Sequence, residues 1–315
     1  MTGRIFTSDH KVYDLPPLLS WRVNLTGGVP CDSYSVTFLY RKEMAPVLRL
    51  AAGFLGMEKG QIVSRGIVDE YTVDLGSSGI TATITGRGAA ARLLDNESRP
   101  VTYQAATLAE IIRCHVTPYG VVTREIADVR ADSVYTVAAG CSQWKALVDF
   151  CRTYGGFLPR FATNGALLAV PERAPKKRLT IGETDPVLAC SLREDHYGVL
   201  TEVLVIDKTR NTAYSVRNQD MLDRGGQCRR VVYTPGQSTW AAMRYTGEYQ
   251  IQQSKKGERT VELALPGSFL AFPGDTAELD LEYLGLRGTF RVAEAENTFS
   301  RENGAQVTLT LEERV

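Results

Sequence analysis

The chain has 315 residues, 43% hydrophobic and 23% charged, a composition of ordinary globular proteins that excludes a disordered chain. That length predicts two or three domains, each able to bury a core. Lys+Arg and Asp+Glu balance at 36 each, which argues against a protein that wraps nucleic acid and favours one that associates with itself.

The first ten residues lack a signal-type apolar core, and no run approaches the length of a membrane span, so synthesis and folding in the cytoplasm are expected. Residues 1–100 read as β. Trp21 to Leu25 and Tyr34 to Tyr40 alternate apolar with polar, as half-buried strands do, around a turn at Gly27-Gly28-Val29-Pro30. Val63 to Leu75 and Ile80 to Thr85 follow, joined through Gly76-Ser77-Ser78-Gly79. In the last of these, Ile80, Ala82 and Ile84 occupy one face and Thr81, Thr83 and Thr85 the other.

Residues 101–180 change character. Thr107-x-x-Glu110 is a capping box opening a helix that Pro118 and Gly120 end. A second helix follows Ser142, places Trp144, Leu147, Val148 and Cys151 at helical spacing, and stops at Gly155-Gly156. Phe157 to Phe161 and Ala166 to Val170 form a hairpin across Asn164-Gly165. Pro171 to Arg178 reads as a linker. Residues 181–315 return to β, with strands predicted at 187–192, 200–206, 260–265, 276–281, 289–294 and 306–311. The polar stretch Asp207 to Gln227 reads as a long loop or loosely paired hairpin. A helix is expected near Trp240 to Tyr245, capped by Ser238 or Thr239.

Chemistry-bearing motifs are sparse. Gly86-Arg87-Gly88-Ala89-Ala90-Ala91 follows a strand and opens an Ala-rich segment, the context of a dinucleotide fingerprint. The preceding strand alternates with Thr instead of running apolar, as a strand buried on both faces would. A strand-to-helix turn that needs glycine is the better account. His10, His115 and His196 stand apart from one another and from the six scattered cysteines, so no metal site is expected and the cysteines read as reduced, Cys151 as core. Asp69/Glu70 and Glu312/Glu313 point to opposite strand faces and do not converge as a glycosidase pair would. No catalytic, cofactor-binding or metal-binding residue is expected, and no enzymatic activity.

One internal similarity stands out. Arg65-Gly66-Ile67-Val68 is followed, from Gly79, by the Thr-alternating strand Ile80 to Thr85. Arg287-Gly288-Thr289-Phe290-Arg291-Val292 is followed, from Gly304, by Gln306, Thr308 and Thr310 alternating with Val307, Leu309 and Leu311. A one-residue slip between the copies is of the size a β-bulge absorbs. The pattern suggests two related β-domains, 1–100 and 181–315, flanking an α+β helix/hairpin module at 101–180.

Three stretches also resemble the baseplate hub proteins of contractile phage tails and related particles, of the late-control-D-like, Mu-type and Bacillus defective-phage types. They are Gly66 to Asp69-Glu70 through Gly86-Arg87-Gly88 and Leu94; Thr107 to Ile112 with Gly140 to Leu147; and Leu265-Pro266-Gly267 with Phe272-Pro273-Gly274-Asp275, continuing through Arg287 to the C-terminus. The 207–227 stretch has no counterpart. The resemblance implies a fold that is mainly β, with two tube-type barrels per chain. It implies a homotrimer whose six barrels join a threefold central spike to a sixfold tail tube, without a cofactor. Implied partners are the tail tube and central spike proteins, a tape-measure protein and other baseplate subunits, with neither membrane nor specific nucleic-acid binding. The implied location is a virion or tail-like particle. The Thr81/Thr83/Thr85 and Gln306/Thr308/Thr310 rows then become candidates for a ring or lumen face. A glycan- or receptor-binding module and a cell-wall hydrolase are the alternatives; the first would cluster exposed aromatics on loops, the second would need a convergent acid or metal site.

Overall fold

The computed structural model describes residues 1–313 except 28–30, 78, 132–133, 173–176, 208 and 235–239. The middle of the Gly27–Pro30 turn, part of the 171–178 linker and the Ser238/Thr239 cap therefore lie outside the described residues. The chain divides into two compact units, one comprising 1–177, 265–275 and 292–308, the other 178–264, 276–291 and 309–315.

The first unit is dominated by an antiparallel sheet of β1 (Thr2–Thr7), β2 (Val12–Asp14), β3 (Leu18–Thr26), β4 (Ser33–Leu39), β5 (Ala51–Glu58), β6 (Gln61–Gly76) and β7 (Gly79–Gly88), in the order β3-β4-β7-β6-β5-β1-β2. Residues 294–299 pair with Trp21–Thr26 on the other edge of β3. Alternation puts Val23, Leu25, Val36, Phe38, Ala82 and Ile84 into one buried face. Ile80 shares that face but lies past the end of the core and is exposed.

Two glycines fix how β6 and β7 meet. A Cβ on Gly66 would sit 2.0 Å from the Arg87 carbonyl oxygen, and one on Gly86 would sit 2.0 Å from that of Ile67 and 2.4 Å from the Tyr34 hydroxyl. Tyr34 donates from that hydroxyl to the Ile67 carbonyl at 2.6 Å. The register shifts between Val68 and Glu70, a bulge at which β6 bends. Gly86 of the apparent fingerprint thus serves backbone contact between antiparallel strands inside β7, and not the strand-to-helix turn expected from the sequence.

The same unit contains α1 (Ala45–Arg49), α2 (Ala91–Leu94) and a module built from β8 (Val101–Tyr103), α3 (Leu108–His115), β9 (Thr123–Ile126), β10 (Tyr135–Val137), α4 (Gln143–Phe150), β11 (Arg160–Phe161) and β12 (Leu167–Ala169). The capping predictions hold: Thr107 Oγ1 accepts from the Glu110 amide at 3.2 Å and Ser142 Oγ from the Lys145 amide at 3.1 Å. β11 pairs with β12 across Asn164-Gly165, and β12 runs parallel to β9. α3 and α4 bury Leu108, Ile111, Ile112, Ala146, Leu147 and Phe150 in one core, with Cys151 fully inside it. Desolvation pushes the Cys151 thiol up to about 12, so it stays protonated.

The second unit contains β13 (Arg178–Gly182), β14 (Ala189–Glu194), β15 (Glu202–Asp207), β16 (Thr212–Arg217), α5 (Gln219–Asp223), β17 (Arg229–Thr234), α6 (Trp240–Lys255), β18 (Arg259–Pro266) and β19 (Thr276–Leu281). β18, whose Leu265 and Pro266 belong to the first unit, β20 (Leu286–Ser300) and β21 (Gly304–Glu313) each contribute residues to both units. β13 pairs with β19, β19 with residues 286–291, and β14 with β18. A separate three-stranded sheet has the order β16-β15-β17, antiparallel on one side and parallel on the other. The polar 207–227 stretch thus supplies a paired strand and a short helix. The helix expected at 240–245 continues to Lys255 because Met243, Gly247 and Ile251 recur at a spacing of four and pack on that sheet. A Cβ on Gly247 would meet Val216 Cγ2 at 2.4 Å, so this glycine sets how closely α6 approaches.

Candidate assembly face

On β7, Thr81, Thr83 and Thr85 are half-buried and alternate with buried Ala82, Ile84 and Gly86. Register places Ser35 and Thr37 of β4 beside Thr85 and Thr83, and Glu70, Thr72 and Asp74 of β6 beside Thr85, Thr83 and Thr81. The Thr37 and Thr83 hydroxyls lie 3.0 Å apart, a hydrogen-bonded cross-strand pair. Farther across, Arg22 on β3 pairs with Glu296 at 3.2 Å. This face carries hydroxyls and acids, with the exposed Leu39 opposite Thr81, and its arginines Arg22 and Arg87 are both paired. On β21, Gln306, Thr308 and Thr310 are half-buried and alternate with buried Val307, Leu309 and Leu311. β7 bonds to β4 and β6, so the two rows are not neighbours within a sheet. Gly79 and Gly304 each open the second strand of their hairpin with positive φ, 113° and 70°.

The hairpins differ at their ends. Beyond the bulge β6 has only β7 as a partner, and all of 69–76 is exposed. Tyr71, Val73 and Leu75 share one face with Ile80, and Leu75 is 83% exposed. β20, by contrast, stays half-buried or buried from Phe290 to Ser300. Sequence reading assigned β6 correctly but gave no sign that its outer half has β7 as its sole strand partner; the run 69–76, with three acids and no Lys or Arg of its own, is the visible trace.

The titratable groups singled out in the sequence hold structure together. The Arg87 guanidinium donates to Asp69 at 2.8 and 3.0 Å and to Asp95 at 2.8 and 3.0 Å, clamping the bulge of β6 to the end of α2. Arg87 holds the Asp95 carboxyl below its usual range. His115 is buried, with Nδ1 2.7 Å from Gln143 Oε1 and Nε2 2.9 Å from the Tyr103 hydroxyl. Gln143 Nε2 in turn donates to the Glu97 carbonyl and the Tyr119 hydroxyl. That network ties β8, α3 and α4 together. His196 lies 3.6 Å from Glu258 in the other unit, and His10 is exposed. No group of three potential metal ligands occurs among the described residues, and none of their helices is long and apolar enough to cross a membrane. A cleft of about 100 Å³ in the first unit is lined by Thr26, Asp32, Arg65, Trp144, Arg160 and Phe161. Asp32 accepts from the Thr26 amide at 2.9 Å, and desolvation raises its carboxyl to about 6.

Among solved structures, the chain is similar to a tail protein of Neisseria meningitidis MC58 (16% identity, TM-score 0.79, covering 99% of this chain and 96% of that one). It is similar to the 43 kDa tail protein of prophage MuSo2 from Shewanella oneidensis (15%, 0.82, 99% and 98%). The fold is that of phage tail proteins. The Escherichia coli c3393 protein, described as a type VI secretion component with structural similarity to T4 tail proteins, also matches (11%, 0.59, 95% and 74%). No protein-family model and no curated protein matches the sequence. The mainly β composition expected from the sequence is borne out by this fold.

Proposed function

We propose that this chain is a structural subunit of a phage tail or tail-like particle, acting as the baseplate hub that starts the tail tube. Its two β-regions serve as related tube-type barrels. Three chains form a ring of six, which meets a threefold central spike on one side and the sixfold tail tube on the other. A tape-measure protein and other baseplate subunits are the further partners, and the chain is made in the host cytoplasm and assembled there. The observation that carries this reading is the fold likeness to phage tail proteins over nearly the full length of both chains. The hairpin recurrence at β6–β7 and β20–β21, each with a Thr-alternating second strand, supports the doubling of a threefold assembly into a sixfold one.

The Thr81/Thr83/Thr85 and Gln306/Thr308/Thr310 rows are proposed to line equivalent positions around the ring, facing its channel. A wall of hydroxyl and amide groups, with Glu70 and Asp74 beside the first row, does not hold phosphates as dense Lys/Arg would, so DNA passes without being retained. A reconstruction of the trimer tests this: the two rows should lie at similar radii from the threefold axis, and unlike radii contradict it.

A further inference from the structure

The inserted sheet β16-β15-β17 has one face covered by α6 and, among the described residues, an opposite face that is half-buried along β15 and exposed along β17. Val203 and Val205 pack against α6, whose Met243 and Ile251 complete a small core. Register puts Leu204 and Ile206 on the opposite face, flanked by Ala213 of β16 and by Val231 and Tyr233 of β17. Val231 is 46% and Tyr233 57% exposed. At one end of this face Glu202 accepts from Ser215 Oγ at 2.6 Å and from Arg229 Nε at 2.5 Å, and Arg217 stands beside it, so that end is net positive.

Charge points to the occupant. Residues 201–260 hold ten Lys/Arg against six Asp/Glu, a net +4, so the rest of this neutral chain carries −4. Within that acidic remainder, the free end of the β6–β7 hairpin carries Glu70 and Asp74 beyond the Arg87-paired Asp69, no Lys or Arg from 69 to 80, and the exposed apolar face of Tyr71, Val73, Leu75 and Ile80. We propose that the free end of the β6–β7 hairpin of one copy docks on the face of the β16-β15-β17 sheet opposite α6 of a second copy. The apolar faces supply the contact, and the opposite charges of the two regions steer the encounter. The contact is heterologous, each copy giving one hairpin and receiving another, the kind of contact from which closed rings are built when the rotation between copies closes. The proposal rests on the reading that copies of this chain assemble with one another, and it identifies the surfaces they use.

The test uses full-length Leu75→Cys and Val231→Cys variants, each carrying Cys114→Ser because Cys114 is exposed. They are oxidised mildly, alone and mixed, at a concentration where the wild-type chain is trimeric, or in particles from cells producing both if trimers form only there. Covalent dimers are expected in the mixture and in neither variant alone. A second variant, Val231→Asp, should keep its far-ultraviolet circular dichroism while raising the concentration needed for assembly at least about tenfold, the loss expected when an apolar contact is replaced by a buried charge. Self-linking by either cysteine variant, or a wild-type trimer that gives no mixed cross-link, overturns the docking while leaving the hub reading intact. A wild-type chain that is trimeric neither in solution nor in particles overturns both.

Discussion

The two inserted modules, 101–170 and 201–255, use the same parts to different extents. The first wraps two helices and five short strands around a core to which it gives 16 of the 17 buried residues among those described, Leu93 of α2 being the other, and which includes Leu147 and Phe150 from α4. The second sets one long helix on one face of three strands, and its described core has five buried residues. A layer of strands that covers only one face leaves half its apolar surface to be buried by something else. The comparison therefore separates a module with a large core from one whose smaller core lies on a single face of its sheet, and substitutions in the two should fail differently.

The largest effect is expected in the module with the large core. Leu147 is fully buried, so Leu147→Ala leaves a cavity and should cost about 3 kcal/mol. Chemical denaturation would show it as a lower midpoint at unchanged slope; a loss under about 1 kcal/mol would mean this core is looser than its burial suggests. Gly247→Val tests the smaller one. Valine has to displace Val216, and the overpacking should cost about 2 kcal/mol. Hydrogen exchange should show lost protection in 202–255 alone, whereas loss spreading into 101–170 would contradict the separateness of the two cores.

Asp32 gives a smaller, pH-dependent effect. Its carboxyl titrates higher in the fold than in the unfolded chain, so its favourable contribution is complete below about pH 4 and is lost as pH rises through about 6. Asp32→Asn should therefore be relatively more stable at pH 7 than at pH 4 when compared with the wild-type chain, and a pH-independent difference would contradict the burial. The smallest stability effect belongs to the sheet face opposite α6. Val231→Ser should change stability by no more than about 0.5 kcal/mol, as surface substitutions do, while weakening assembly. A large loss of stability there would show that Val231 already has a partner within its own chain.

Much of the first module was legible in the sequence because its signals are local. Thr107-x-x-Glu110, Ser142 and Asn164-Gly165 each announce an element within four residues of its start or turn, and all three sit where they were expected. The second module was harder to read because its sheet depends on distant pairing. β15 and β17 are parallel neighbours separated by β16 and α5, and parallel pairing leaves no short-range turn signature. β16 itself alternates, with Tyr214 and Val216 towards α6 and Ala213 and Ser215 away, but its apolar positions are few enough to read as loop. Along β7 the alternation gave the correct faces for Thr81, Thr83 and Thr85, while the exposure of Ile80 follows from where the core ends, which depends on the lengths of neighbouring strands.

The central claim, a threefold subunit carrying two tube-type regions, is tested most directly by counting copies of this chain in the assembled particle, by native mass measurement or by a reconstruction of the baseplate. The account predicts three copies around one axis, with the two hairpins alternating to give six similar positions. One or six copies per particle would contradict it.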